Sequence, residues 1–423
     1  MKIFRLRKFV LSESIKYPLL FFVIILLLFY IYTLFNPIPT PISSESIGIG
    51  ADNLAIGDRT FYFHENSSLY GRDALKASFL YPFILNTFAL ITSKFNSSTI
   101  AWNTLVIFTA TLCAISSLFF IDKSANIVFD KKTAKIASWI FVLCPYTIFY
   151  SISGGITIYV TLGVSFFTYL ISKSNLFNPS KFAHKISLTM FCFLLNILFL
   201  SSIRPTGTIF SIIIILIIGV KIFTKSYKNL ISLSRSEKLI IYSVLSFSLA
   251  YCFYQLKINS YYLNYTVDTF ISEGGTFFGI ERQLLREKIS ELAVADSDYL
   301  KSYFYMAIWK IMDFVAGLSD IRDSYADHGF NLLFPFFSRV FVGIFIIYPM
   351  NLLAFFGIFI YWKKIVKSGL WISLIAALIC LAPSLLGVAL TRYLMMVYPP
   401  IIIISAKTFG LIISEFNNQI TSD

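Results

Sequence analysis

Residues 17–35, YPLLFFVIILLLFYIYTLF, form a run of 19 residues without a charged side chain. An α-helix needs about 20 apolar residues to cross a hydrocarbon core about 30 Å thick. This run is therefore long enough to span a membrane. The preceding residues, Met1 to Lys16, are basic, and the run lacks the small-residue cleavage site of a signal peptide. We interpret it as a retained first span.

Apolar runs of the same kind recur as far as Phe409. The chain has 423 residues, of which 57% are hydrophobic and only 13% are charged, whereas a soluble domain usually carries about 25% charged residues. This balance excludes a soluble globular protein and a disordered chain. We predict an all-α polytopic membrane protein with about ten transmembrane helices, or eleven if the apolar residues 79–95 also cross. The ten predicted spans are residues 17–35, 100–121, 136–152, 156–172, 186–203, 206–223, 239–256, 338–361, 370–390 and 393–411.

The charged residues predict how these spans are oriented. With the N-terminus inside, the predicted cytoplasmic segments hold 21 of the 35 Lys and Arg residues but only six of the 22 Asp and Glu residues. Excess positive charge in short loops marks the side that stays in the cytoplasm. Both termini are therefore predicted to be cytoplasmic. The basic composition is explained by topology, and no nucleic-acid partner is predicted.

Two long polar segments, residues 36–99 and 257–337, fall on the opposite, outer side. The first ends in an apolar piece, for which we favour a helix lying in the membrane interface, and the second contains two amphipathic helical patterns. The predicted organisation is an N-terminal transmembrane module 1–256 that includes the first outer loop, the outer loop 257–337, and the C-terminal transmembrane helices 338–423. Because the polar mass lies outside, chemistry is expected there.

The sequence lacks the common motifs for nucleotides, zinc and redox centres, namely the Walker loop, GxGxxG, HExxH and CxxC. The five cysteines fall in apolar runs, and the three histidines are scattered. We therefore predict neither a metal nor a cofactor. The remaining candidates are charged side chains at the outer membrane boundary, where a charge is costly to desolvate and so indicates function.

Carboxylates and guanidiniums near the outer span ends suit transfer from a lipid phosphate. Asp58 follows Gly57 in the first outer loop, and a positioned carboxylate can remove a proton from an attacking hydroxyl group. Arg204 and Arg392 lie at outer span ends, where a guanidinium can bind a phosphate through paired hydrogen bonds. Each residue alone also has an ordinary reading, as a solvated loop carboxylate or as an arginine that extends to lipid headgroups. The other acids of the first loop are Glu45, Asp52, Glu65 and Asp73.

Short motifs occur along the chain in an informative order. They are Gly57-Asp58, LYGRD at 69–73, LYPF at 80–83, CPYTIFYS at 144–151, Arg204-Pro205, and TRYL at 391–394 ahead of YPP at 398–400. In this order, and on these predicted sides, they resemble a membrane glycosyltransferase of the GT-C fold. The closest resemblance is to the family of protein mannosyltransferases and lipid A aminoarabinose transferases. It covers most of the chain and is poor over 257–337.

The resemblance implies that a sugar linked to polyprenyl phosphate is passed, usually with inversion, to a lipid-linked or glycan acceptor on the outer face. The expected setting is a bacterial inner membrane, in surface polysaccharide or glycolipid assembly. The resemblance also implies that Asp58 is the catalytic base and that Arg204 and Arg392 face the carrier phosphate. The other expected site residues are Tyr393 beside the phosphate, Arg72, Lys76 and Tyr62 along the sugar, and Asp52 and Asp73 as alternative bases.

Two positions depart from the family pattern. Relatives often have a second acid directly after the loop aspartate, where this chain has Arg59. Relatives also often have a Ser-Glu pair after the Pro-aromatic-Ser stretch, whereas residues 151–160 contain no acid here. A divalent metal that bridges two carboxylates is therefore not expected.

Two other functions stay open at the level of sequence. A repeat-unit polymerase for O-antigen or capsule also has many spans and large outer loops, and it would use arginines of the second loop. A flippase or transporter for a lipid-linked sugar is less favoured, because the chain shows no internal repeat and almost no charge within its spans. The arginines that a polymerase would use are Arg282, Arg286 and Arg322 within the loop and Arg339 directly after it.

Overall fold

The computed structural model describes residues 12–35, 80–92, 98–174, 186–225, 235–258, 343–386, 395 and 397–422. Within these ranges the chain is helical apart from short turns, and it contains no strand. A π-helical turn, Gly343–Ile347, precedes α10. The α-helices are α1 (Glu13–Phe35), α2 (Leu80–Thr92), α3 (Ser98–Val128), α4 (Lys131–Leu143), α5 (Pro145–Ser153), α6 (Ile156–Ser174), α7 (Ile186–Ile203), α8 (Pro205–Lys225), α9 (Arg235–Ile258), α10 (Tyr348–Ser368), α11 (Leu370–Leu386) and α12 (Tyr398–Ser422).

The described helices agree with a multi-pass membrane protein. Six of them, α1, α3, α6, α9, α10 and α12, are long and apolar enough to cross a membrane, and the bent pair α4 and α5 makes a seventh if it is one span. Shorter apolar helices lie at Leu188–Ile203, Pro205–Val220 and Leu370–Cys380. Each of the ten predicted spans overlaps one of these helices, while the count of ten remains a prediction.

Capping, proline and glycine residues determine where α4 and α5 begin and end. The side chain of Asp130 accepts a hydrogen bond from the Thr133 backbone N–H and thereby caps α4. Pro145 starts α5 after Cys144, and the chain bends by 66° between α4 and α5, so the predicted span 136–152 is a broken helix. Gly154 then ends α5 with a left-handed φ of 69°, which glycine adopts without steric cost.

The helices pack into one bundle with two distinct ends. α3 packs against α6 and α4, and α12 packs against α10 and α4. Ile197 and Ile215 share a small buried cluster with Cys252, although 18 residues of continuous helix would separate them by about 27 Å. The chain therefore reverses between α7 and α8, at Arg204. We call this the Arg204 end, and the end that holds the α3–α4 turn the Asp130 end.

Two predicted segments, 100–121 and 79–95, differ in length from the helices that the structure contains there. The third helix continues to Val128, beyond its predicted end at residue 121, so Asp122 belongs to a helix. α2 has 13 residues and is about 20 Å long, shorter than a hydrocarbon core. Its interfacial placement stays a prediction, and the amphipathic patterns of 257–337 lie outside the described residues.

Candidate active site at the Arg204 end

Arg204 is the one residue between α7 and α8, and it is only 2% exposed. Its backbone N–H donates to the Leu200 carbonyl at 3.4 Å, and its own carbonyl accepts from the N–H groups of Gly207 and Thr208 at 2.9 and 3.2 Å. The Thr208 hydroxyl donates back to the Ser201 carbonyl at 3.1 Å. The turn is thus held from both helices, and the guanidinium group starts from a fixed backbone.

The sequence Arg204-Pro205-Thr206-Gly207 explains why the turn is so tight. Proline suits the first turn of a helix because its missing N–H would have no partner within the helix. A Cβ atom on Gly207 would overlap the backbone carbonyl of Leu200, so only glycine lets the two helices approach this closely.

α6 lies beside α7 and runs in the opposite direction. The Asn196 side-chain amide donates to the Gly163 carbonyl at 3.0 Å, and the ring centroids of Phe167 and Phe193 lie 5.7 Å apart. Residues later in α6 therefore contact residues earlier in α7. Gly163 lies against Leu200, because a Cβ on Gly163 would overlap the Leu200 side chain. Tyr159 is one turn before Gly163, and Arg204 is one turn after Leu200. Tyr159 and Arg204 therefore lie at the same level of the bundle.

Buried tyrosines surround this level of the bundle. The largest fully buried side chains of the described residues are four tyrosines, Tyr81, Tyr150, Tyr159 and Tyr398. The Tyr81 hydroxyl donates to the Gly154 carbonyl at 2.9 Å, and its ring meets that of Tyr159 edge-on with centroids 5.5 Å apart. Tyrosine gives the interior aromatic bulk together with a polar atom that requires a partner.

Two further contacts bring the C-terminal helices to this end. The Cys380 thiol of α11 contacts the Thr206 carbonyl at 3.6 Å, beside Arg204. The Thr161 hydroxyl of α6 contacts the Met395 carbonyl at 3.4 Å. Met395 is the described residue nearest in sequence to the predicted site residue Arg392, which precedes it by three positions. It contacts α6 at Thr161, two residues after Tyr159.

Of the residues predicted for the site, the structure describes Arg204. The others lie outside the described residues, and their roles stay predictions: Asp58, Arg392, Tyr393, Arg72, Lys76, Tyr62, Asp52 and Asp73. The described ranges hold no group of three or more His, Cys, Asp or Glu side chains that would suit a metal ion. Because the predicted acids lie elsewhere, the expectation about a metal stays a prediction as well.

Sequence reasoning did not identify the buried tyrosines as part of this end. Tyr81 falls in the LYPF motif and Tyr150 in CPYTIFYS. Both motifs contribute to the family resemblance, but the resemblance gives neither tyrosine a role. A usable signal is the tyrosine placed next to a proline or glycine break, as in Tyr398 before Pro399 and Tyr81 before Pro82. Such breaks bring helix ends together and bury the rings there.

The Asp130 end has a different electrostatic character. Asp122 is 1% exposed and accepts hydrogen bonds from the hydroxyls of Ser14 at 2.6 Å, Ser12 at 3.2 Å and Ser138 at 3.4 Å. Asp130 accepts from the Lys407 ammonium group at 2.6 Å. Partial burial alone would raise the pKa of Asp130, but hydrogen bonds from Lys407 and Thr133 outweigh it and lower the pKa to about 2.

The Lys407 ammonium group is also held by aromatic rings. It lies 5.9 Å from the centroid of Phe129 and 5.8 Å from that of Tyr361, distances at which a cation is attracted to the ring face. The two rings meet edge-on at 5.5 Å. These contacts join the α3–α4 turn to α10 and α12 and indicate a structural role for this cluster.

No protein-family model matches the chain, and no curated protein sequence matches it. The structure is similar to that of the archaeal oligosaccharyltransferase AglB from Archaeoglobus fulgidus, which was solved in complex with an inhibitory peptide and a dolichol-phosphate. The similarity covers 96% of this chain and 51% of AglB, with a TM-score of 0.48 and 13% identity. The chain thus spans about half the length of AglB, and a likeness at this level carries no argument for its activity.

Proposed function

We propose that this protein is a membrane glycosyltransferase. It moves a sugar from a polyprenyl-phosphate donor to a lipid-linked or glycan acceptor on the outer face of a bacterial inner membrane. The observation that carries the proposal is the buried Arg204 between α7 and α8, at the end of the bundle that the charge pattern predicts to be outer. A buried guanidinium group on a fixed backbone is suited to a phosphate that gains charge as its sugar leaves.

The described residues include five carboxylates, and none of them lies at the Arg204 end. Glu13, Asp122, Asp130, Glu237 and Glu415 all belong to the Asp130 end or to helix termini on that side. A base for chemistry at the Arg204 end must therefore come from the two predicted outer segments, 36–99 and 257–337, and the family resemblance favours the first. Asp58 is the proposed base, with Asp52 and Asp73 as alternatives.

In the proposed reaction an acceptor hydroxyl oxygen attacks the anomeric carbon as the bond from that carbon to the phosphate oxygen breaks. Asp58 takes the hydroxyl proton, and the polyprenyl phosphate leaves with both electrons of the broken bond. Arg204 and Arg392, accompanied by Tyr393, stabilise the charge on the phosphate. Arg72, Lys76 and Tyr62 orient the sugar.

The test uses the full-length protein in proteoliposomes with tritiated polyprenyl-phosphate hexoses and an acceptor extract from cells that lack the gene. We expect label to move from the lipid to the acceptor with wild-type protein and to stay on the lipid with Asp58→Asn. Glu415→Gln is the control, because Glu415 is exposed near the far end of α12. Full transfer by Asp58→Asn would assign the base elsewhere.

The same assay separates the alternative functions. When the labelled donor is instead a lipid-linked repeat-unit oligosaccharide, a product that grows as a ladder of repeats would indicate the polymerase. Label that crosses the bilayer and remains on its lipid would indicate the flippase. Either outcome contradicts the single-sugar transferase.

A further inference from the structure

Gln255 is a buried polar residue near the end of α9, and it is 3% exposed. Its side-chain NH₂ group donates to the Tyr251 hydroxyl at 2.9 Å, and that hydroxyl shares a hydrogen bond with the Ser202 hydroxyl of α7. The side-chain oxygen of Gln255 has no hydrogen-bond donor among the described residues. A buried acceptor without a donor is destabilising, so this oxygen is suited to a ligand that donates a hydrogen bond.

α9 runs in the same direction as α7. Cys252 of α9 shares a buried cluster with Ile197 of α7 and Ile215 of α8. If α9 ran parallel to α8, Lys225 and Arg235 would lie on opposite sides of this cluster, about 15 Å and about 26 Å from it along the helix axes. The chain that joins these two residues spans at most about 36 Å, which is too short. α9 is therefore antiparallel to α8 and runs towards the Arg204 end.

Gln255 lies at the level of Arg204. The Cys252 thiol contacts the Ser201 hydroxyl at 3.4 Å, so these two residues share a level of the bundle. Gln255 follows Cys252 by three residues, which advances it about 4.5 Å towards the Arg204 end. Arg204 follows Ser201 by the same number of residues in the same direction. Gln255 also follows Tyr251 by one turn, so it lies on the face of α9 that meets α7.

Helix packing alone explains Tyr251 but not Gln255. Polar side chains of membrane helices commonly join neighbouring helices through hydrogen bonds, and the Tyr251 hydroxyl does so with Ser202. Within the described part of the chain, Gln255 bonds to Tyr251 of its own helix and leaves its oxygen unused. Packed helix axes lie about 8–10 Å apart, so a phosphate held at Arg204 brings the sugar attached to it close to this oxygen.

The chemistry of the amide oxygen decides which part of the donor it can bind. The oxygens of a phosphate diester only accept hydrogen bonds, as the amide oxygen does, whereas a sugar hydroxyl donates one. We propose that the side-chain oxygen of Gln255 accepts a hydrogen bond from a hydroxyl group of the sugar whose lipid phosphate binds at Arg204. The proposal rests on the proposed function, and it adds a residue that determines which sugar the protein accepts.

The test separates recognition of the sugar from recognition of the phosphate. The purified full-length protein is titrated with polyprenyl phosphate and with the polyprenyl-phosphate hexose that the wild-type protein transfers fastest. Gln255→Met keeps the length of the side chain and removes both of its polar atoms. We expect this variant to bind the hexose lipid about threefold to tenfold more weakly, as loss of one hydrogen bond predicts, and to bind polyprenyl phosphate as the wild-type protein does.

Ser248→Ala is the matched control on the same helix. Ser248 is also fully buried, and its hydroxyl oxygen has no partner among the described residues. It precedes Gln255 by seven residues and therefore lies about 10 Å further from the level of Arg204. The control should change neither affinity. Weaker binding of the hexose lipid by both variants would show that α9 acts through the fold and would overturn the proposal.

A second measurement uses hexose lipids that each lack one sugar hydroxyl. The wild-type protein should bind one of these deoxy lipids about threefold to tenfold more weakly than the complete lipid, whereas Gln255→Met should bind the two equally, as in a double-mutant cycle. Gln255→Asn withdraws the amide by one bond and should also lose this preference, so it replaces Gln255→Met if that variant does not fold. A wild-type protein that prefers no hydroxyl would overturn the proposal.

Three further outcomes would contradict the role of Gln255. Wild-type affinity of Gln255→Met for the hexose lipid would assign sugar recognition to other residues, while phosphate binding at Arg204 would stand. Equal weakening of both lipids would mean that Gln255 acts on the phosphate or on the fold. A wild-type protein that binds neither lipid would contradict the proposed function together with the role of Gln255.

Discussion

The two ends of the bundle bury polar groups in different ways. At the Asp130 end, Asp122 receives hydrogen bonds from three serine hydroxyls and Asp130 pairs with Lys407, so the charges there join neighbouring helices. At the Arg204 end, the buried groups are a guanidinium and large phenols on helices that break at proline or glycine. The contacts at the Asp130 end indicate that it stabilises the fold, and the proposed function assigns the ligand to the Arg204 end.

The largest effect that would test this contrast is expected from Arg204. Arg204→Gln removes the positive charge next to the proposed phosphate, and loss of one such group typically lowers the rate by about 100-fold to 1,000-fold. The transfer rate of Arg204→Lys is expected to lie between those of the wild-type protein and Arg204→Gln, because lysine keeps the charge but loses the paired hydrogen bonds. The measurement is initial transfer rate in proteoliposomes at several donor concentrations.

Arg235→Gln is the control for a changed arginine at the opposite end, where Arg235 is exposed. A folded Arg204→Gln protein that transfers at the wild-type rate would mean that the Arg204 end is structural too, and the contrast between the two ends would disappear.

The next effect concerns the tightness of the turn at Arg204. Gly207→Ala is expected to destabilise the fold by about 1–3 kcal/mol, because the new methyl group meets the Leu200 backbone, which cannot move aside like a side chain. Gly219→Ala in the same helix has no atom within 4 Å of the new Cβ and is expected to be neutral or stabilising by up to about 1 kcal/mol. Thermal denaturation of the purified variants compares them. Equal stability of the two variants would show that the helices separate readily at Arg204.

Asp122 tests whether the Asp130 end is structural. Asp122→Ala leaves three serine hydroxyls without this acceptor and is expected to cost about 1–3 kcal/mol of stability. Transfer activity per folded molecule should stay near the wild-type value. The comparison variant is Glu415→Ala, at an exposed position, which should change neither quantity. A stable Asp122→Ala protein without activity would instead give this end a catalytic role.

Tyr81 offers a smaller and more specific test at the Arg204 end. Tyr81→Phe removes the hydrogen bond to Gly154 while keeping the ring against Tyr159, and it should cost about 1 kcal/mol. Tyr81→Leu also removes the ring contact, which adds about 0.5–1.5 kcal/mol. Tyr254→Phe is the control, since Tyr254 is 59% exposed on α9. If Tyr81→Phe and Tyr254→Phe denature at the same temperature, the link between α2 and the α5–α6 turn contributes nothing.

The sequence predicted the helices better than it predicted their breaks and contacts. The span 186–203 coincides with Ile186–Ile203, because hydropathy alone decides whether a run crosses a membrane. The span 136–152 is broken at Cys144 and Pro145, a signal that was present in the sequence but weaker than the apolar run around it. Asp122 was assigned to a loop because a carboxylate ends an apolar run, while the serines that allow it to be buried lie up to 110 residues away.

The candidate site was predictable in part for the same reason. Arg204 was identifiable because an arginine beside a proline interrupts two apolar runs. The level that it shares with Tyr159 depends on how α6 packs against α7. Contacts of this kind depend on packing between distant segments, and a local pattern does not contain them.

The smallest expected effect is the pH dependence of the Asp130–Lys407 pair. The pKa of Asp130 is lowered from 3.8 to about 2 in the folded protein, so the pair stabilises the fold above about pH 4 and loses this contribution as the pH falls towards 2. Because the Asp130 side chain is 41% exposed, solvent screening keeps the contribution below about 1 kcal/mol. Asp130→Asn retains a helix cap without the charge, so the wild-type protein should denature at a higher temperature than this variant at pH 6 and lose that advantage between pH 4 and pH 2. A constant difference across this range would show that Lys407 is held by Phe129 and Tyr361 alone, and the Asp130 end would then depend on aromatic packing more than on charge.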